Sequence, residues 1–96
     1  MKVYRYEETP THWIEVVRPD ELFDLSTLEE PPALEDEGHE FKLRAVHKLR
    51  GIPQTFAYAY RKDAWTLDRL KLMASKMPDI YHNDALDVGA LLRQGA

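Results

Sequence analysis

Phe56, Tyr58 and Tyr60 alternate with Thr55, Ala57 and Ala59, directly after the chain breakers of Arg50-Gly51-Ile52-Pro53-Gln54. A period of two with aromatics at every second place predicts a strand, because successive side chains of a strand point to opposite faces. Before the breakers, Phe41, Leu43 and Ala45 fall on one side and Lys42 and Arg44 on the other, until the pattern loses step at Val46-His47. The two runs together predict a β-hairpin with a five-residue turn and a bulge near Val46. A helical alternative competes with it: Leu43, Val46 and His47 have the spacing of a short helix, and Phe56, Tyr60 and Ala64 that of a longer one running on to Met77.

The remaining segments divide around the prolines. Val3, Tyr4 and Tyr6 read as a first strand and His12–Val17 as a second, with Thr9-Pro10-Thr11 turning between them as an antiparallel hairpin. Pro19-Asp20-Glu21 opens a short helix with Leu22, Phe23 and Leu25 as its apolar stripe, since proline suits the first turn and acids suit the positive end of the dipole. Residues 63–76 predict a longer helix, with Asp63 as N-cap, Ala64, Leu67, Leu70, Ala74 and Met77 on one face, and Trp65 and Leu72 widening it. Pro78 stops that helix, and Asn83 caps a last one carrying Ala85, Val88, Leu91 and Leu92. The expected fold is therefore α+β, a small antiparallel sheet of two hairpins packed on one face by two C-terminal helices.

A length of 96 residues predicts one domain spanning 1–96. Leu28–Glu40 holds two adjacent prolines, one glycine and few apolar side chains, and is expected to be a flexible acidic connector at about 28–40. Cysteine is absent, so disulfides and thiolate chemistry are excluded. No apolar run approaches the roughly 20 residues of a membrane span, and MKVYRYEE lacks the apolar middle of a secretory signal. A cytoplasmic protein without a membrane partner is expected.

Neither the histidines nor the carboxylates form a chemical signature. His12, His39, His47 and His82 lack metal-ligand spacing, and His82, in Tyr81-His82-Asn83-Asp84, has the polar company of a loop or cap residue. Gly38, Gly51, Gly89 and Gly95 are isolated, which rules out a glycine-rich phosphate loop. The expectation is a protein that is not an enzyme, with no catalytic residue, metal or cofactor.

Charge is the informative feature. Residues 1–40 carry three Lys and Arg against twelve Asp and Glu, whereas residues 41–96 carry ten against five. The first expectation is a small regulatory or adaptor protein, of the accessory or phage and plasmid inhibitor kind, that binds another protein. Its acidic arm would be Glu29, Glu30, Leu34, Glu35, Asp36 and Glu37, with Leu34 as apolar anchor. The alternative is a nucleic-acid binder using Lys42, Arg44, Lys48, Arg50, Tyr58, Arg61 and Lys62, a basic and aromatic set suited to phosphates and base stacking. Within the helical alternative this stretch resembles a helix-turn-helix, with Gln54, Thr55, Tyr58 and Arg61 on the second helix, although the spacing around Gly51 departs from that motif. A homodimer, one acidic arm on its neighbour's basic face, is the third expectation.

Overall fold

The computed structural model describes residues 1–35 and 38–77. Five strands form one antiparallel sheet: β1 (Arg5–Glu8), β2 (His12–Val16), β3 (Phe23–Glu29), β4 (Phe41–His47) and β5 (Pro53–Arg61). A single α-helix, α1 (Leu67–Lys76), follows them among the described residues. The strand order is β1-β2-β5-β4-β3, so the two predicted hairpins form and join through β2 and β5 at the centre.

This architecture corrects the expected fold class. The protein is mostly β, and its described part has one helix rather than two helices laid on two hairpins. Asn83–Leu92, the expected second helix, lies outside the described residues. The predicted helix after Pro19 shrinks to one 3-10 turn, Asp20–Leu22, closed by the Phe23 amide donating to the Asp20 carbonyl. From Phe23 the chain is extended as β3. Phe23 meets the Phe56 ring at 4.9 Å between centroids and the His47 ring edge-on at 5.1 Å, and burying it there outweighs the local helix signal. The helical alternative for 54–62, and the helix-turn-helix resemblance with it, gives way to the nine-residue strand β5.

The bulge falls one strand away from its expected place. Leu43 opposes Ala57 and Arg44 opposes Thr55, which leaves Phe56 as an extra residue on β5. Phe56 therefore joins Ala57 in the main cluster, while Tyr58 and Tyr60 keep to the opposite face. That cluster comprises Ile14, Val16, Phe23, Ala45, Phe56, Ala57 and Ala59, edged by Leu22, Phe41 and Leu43. Ala57 and Ala59 on the central strand are fully buried between larger neighbours, Ala57 facing Val16 and Leu43, and Ala59 facing Ile14 and Phe41.

The other face carries Tyr6, Trp13, Glu15, Tyr58 and Tyr60, and the segment leading into α1 packs there. Trp13 Nε1 donates to the Trp65 carbonyl at 3.1 Å, and the Tyr60 and Trp65 rings meet edge-on at 5.3 Å. Gly38 takes the left-handed conformation at φ +83°, and a Cβ built there would lie 3.4 Å from the Trp65 ring. The helix begins later than expected. Thr66, not Asp63, is the N-cap, its hydroxyl accepting from the Arg69 amide, because Asp63 is drawn to Arg61 at 2.5 Å. Leu70 and Ala74 are buried as their spacing predicts, whereas Leu72 and Met77 are exposed.

Candidate functional site

Between Arg18 and Lys42 the sequence has no Lys or Arg and nine Asp and Glu. The fold lays most of this stretch along one edge of the sheet as β3 and its extension. Phe23 opposes His47 and Asp24 opposes Val46, but the next matched pair is Glu29 with Arg44. Leu25, Ser26, Thr27 and Leu28 thus stand against Ala45 alone and bow outward. Their side-chain hydroxyls are satisfied locally. Asp24 Oδ1 accepts from the Ser26 amide at 3.1 Å and its hydroxyl at 2.6 Å, which holds the Asp24 carboxyl below its usual range. Thr27 Oγ1 donates to the Asp24 carbonyl at 2.6 Å and accepts from the Val46 amide at 2.8 Å, replacing a ladder bond.

The excursion exposes aliphatic surface. Leu25 is 52% and Leu28 46% exposed. Past Glu29 the register with β4 continues: the Lys42 amide donates to the Pro31 carbonyl at 3.3 Å, Pro32 bridges Phe41, and the Ala33 amide donates to the Glu40 carbonyl at 3.2 Å. Leu34, 65% exposed, lies just past this paired stretch. Leu25, Leu28 and Leu34 are therefore set along one edge among Asp24, Glu29, Glu30 and Glu35. Asp36 and Glu37 lie outside the described residues. Pro31 and Pro32 lack amide donors and the excursion breaks the ladder, so this edge is blunted as a template for another strand.

Several acids of the stretch are paired within the chain. Glu29 binds Arg44 at 2.7 Å, and Glu40 sits 2.5 Å from His12 Nε2 and 4.0 Å from Arg61. Asp20 binds Arg5 at 2.8 Å, and that guanidinium lowers its pKa. Glu30 and Glu35 are exposed.

The structure disperses the basic set that the sequence groups. Arg44 is held by Glu29, Arg61 by Asp63 and Glu40, and Lys62 by Glu8 at 2.5 Å with its ammonium 4.7 Å above the Trp13 ring. Lys42 opposes Tyr58 on the Trp65 face, where the Tyr58 ring packs 4.8 Å from His39. Lys48 lines an acidic cleft of about 400 Å³ with Asp20, Glu21, Phe23, Asp24 and Leu25. Arg50 is half-buried beside His47.

A second cleft, of about 560 Å³, is lined by Pro10, Thr11, His12, Glu40, Arg61, Lys62 and Asp63. His12 Nδ1 meets the Thr11 hydroxyl at 2.7 Å while Nε2 meets Glu40, so both ring nitrogens are occupied. That arrangement is a strut tying β2 to the start of β4 rather than a base poised toward a substrate. Among the described residues no group of three or more His, Asp or Glu could hold a metal ion. His82 lies outside them.

The burial of three titratable groups, Glu15, His39 and His47, has little warning in the sequence. Glu15 lies under the Trp65 face, only 2% exposed, with Oε2 accepting from the Tyr6 hydroxyl at 3.2 Å. Burial raises its pKa, opposed by the Tyr6 hydrogen bond and the N-terminal ammonium; burial, followed by the Glu15 carboxylate, likewise raises the pKa of Tyr6. The visible signal was a carboxylate inside the β-rich run HWIEVV. His47 closes the β4–β5 turn and had no such signal. Among the described residues no helix is long and apolar enough to cross a membrane. No family model, curated protein or solved structure matches the chain.

Proposed function

We propose that this is a non-enzymatic regulatory or adaptor protein of the cytoplasm that binds another protein along its acidic, aliphatic β3 edge. The observation that carries the reading is the exposure of Leu25, Leu28 and Leu34 within a stretch rich in acid and devoid of base. Exposed aliphatic groups spaced among carboxylates suit a partner surface that is apolar at its centre and rimmed by Lys and Arg. Because the edge is blunted, recognition runs through side chains rather than strand addition. The partner's contact element is then an amphipathic basic helix or groove, not an extended peptide. Glu30, Leu34 and Glu35 supply the end of this surface nearest the Ala33–Glu40 closure.

Affinity capture with the intact chain tests this. Wild-type protein should retain a specific partner that is lost with Leu28→Asp or Leu34→Asp and weakened by Glu30→Lys with Glu35→Lys. Capture of nothing, or of a protein indifferent to those changes, refutes the reading. Nucleic-acid binding that fades steeply with salt and with Lys42→Ala, Lys48→Ala and Arg50→Ala would put a nucleic acid in the partner's place. A concentration-dependent dimer lost with Leu34→Asp would put a second copy there.

A further inference from the structure

We propose that His47 is a proton-sensitive latch on the β4–β5 turn, holding the turn shut when its ring is neutral and releasing it when the ring gains a proton. His47 Nδ1 accepts two backbone amides, from Leu49 at 3.1 Å and Arg50 at 3.2 Å. A nitrogen that accepts two N–H groups carries no proton of its own, so the neutral ring holds its proton on Nε2. Protonating Nδ1 would turn the acceptor into a donor aimed at two donors, and both amides would lose their partner.

The surroundings give the ring nowhere to retreat. His47 is 3% exposed and meets the Phe23 ring edge-on. Its own amide donates to the Ile52 carbonyl at 2.9 Å, and its carbonyl accepts from the Gly51 amide at 2.7 Å, so backbone and side chain close the same turn. Gly51 takes φ +69°, the left-handed conformation that this closure requires. The charged groups around the ring oppose a further positive charge. Arg18, following β2, and Arg50, in the turn, both disfavour the imidazolium, and burial disfavours it more than either. Lys48 adds a third cation in the turn. The carboxylate nearest in the ladder, Asp24 of β3, is engaged with Ser26 and faces Lys48.

Opening the latch would free 48–52, which carries the exposed Leu49 and Ile52, and would loosen Phe23 at the start of β3. This inference does not depend on the proposed partner, since its test reads the turn directly.

Backbone amide exchange and ring nitrogen shifts, followed by NMR on the intact chain from about pH 7.5 to about pH 5, test it. The ring of His47 should titrate below the ordinary histidine range, with its proton on Nε2 in the neutral form. Protection of the Leu49 and Arg50 amides should fall about tenfold as the ring charges, a loss in line with removal of their hydrogen bonds. In His47→Asn the side-chain carbonyl offers an acceptor near the Nδ1 position that does not titrate, so protection should be retained and indifferent to pH. Amides that stay protected while the ring is cationic overturn the proposal, as does a neutral ring protonated on Nδ1. Should His47→Asn fail to fold, the wild-type shifts and exchange decide alone.

Discussion

Glu15→Gln should stabilise the protein at neutral pH and leave it unchanged in acid. Glu15 is paired in register with Tyr6 and Tyr58, and its Oε1 has no hydrogen-bond partner among the described residues. Its folded pKa is raised, by burial above all. Below the unfolded value of about 4.3 both states are protonated and the group contributes no penalty. As pH rises toward the folded pKa, the unfolded chain ionises first and gains on the folded one, so stability is lost across that interval. A buried polar group with incomplete partners costs about 1–3 kcal/mol, and more when charged, whereas glutamine keeps the shape without the charge. The expected gain at about pH 7.5 is thus on the order of 1–3 kcal/mol, or about 4–8 °C in Tm for each kcal/mol in a domain of this size. Thermal melts by circular dichroism at about pH 4 and about pH 7.5 measure it, the first lying below the unfolded pKa. A Gln variant weakened at about pH 7.5 but unchanged at about pH 4 would refute the reasoning, by showing that the Tyr6 bond and the N-terminal ammonium more than offset desolvation.

Two further substitutions test the packing. Leu70→Ala should cost about 2–5 kcal/mol in urea denaturation and Leu72→Ala little, and equal losses would mean that the buried face of α1 is wrongly assigned. Gly51→Ala should cost about 1–2 kcal/mol from left-handed strain alone, since its added methyl meets open space. Gly38→Ala carries the same strain, and its added methyl makes an ordinary 3.4 Å contact with the Trp65 ring, so it should cost about as much; a much larger loss in thermal melts would mean that the ring cannot accommodate the methyl.

What could be read from the sequence follows the range of the interactions that decide each element. The β1–β2 and β4–β5 hairpins are local, marked by Thr9-Pro10-Thr11 and by Gly51 and Pro53, and both form. The buried positions Leu70 and Ala74 likewise follow from helical spacing. β3 does not, because its fate is settled by Phe23 meeting His47 and Phe56, residues far along the chain. The start of α1 moved for a related reason: Asp63 had a competing partner in Arg61 that no propensity reveals. For the candidate site, charge sorting along the sequence found the acidic stretch. It missed that Glu29 and Glu40 engage the basic strand residues, a matter of register. The same register dissolved the apparent basic surface.

The central β2–β5 ladder bears on how the chain reaches this state. Val16 pairs with Ala57 and His12 with Arg61, so the N-terminal hairpin joins the sheet only through residues made much later in synthesis. β3, β4 and β5 form a meander of sequential neighbours and can assemble among themselves. The slow event in folding is then the docking of a two-stranded unit onto a three-stranded one, which closes the long loop between Val16 and Ala57. During translation Ile14 and Val16 must wait unburied until Arg61 has left the ribosome. The charged side chains of β1, clamped by Arg5 to Glu7 and Asp20, would keep that waiting hairpin from pairing with a second chain.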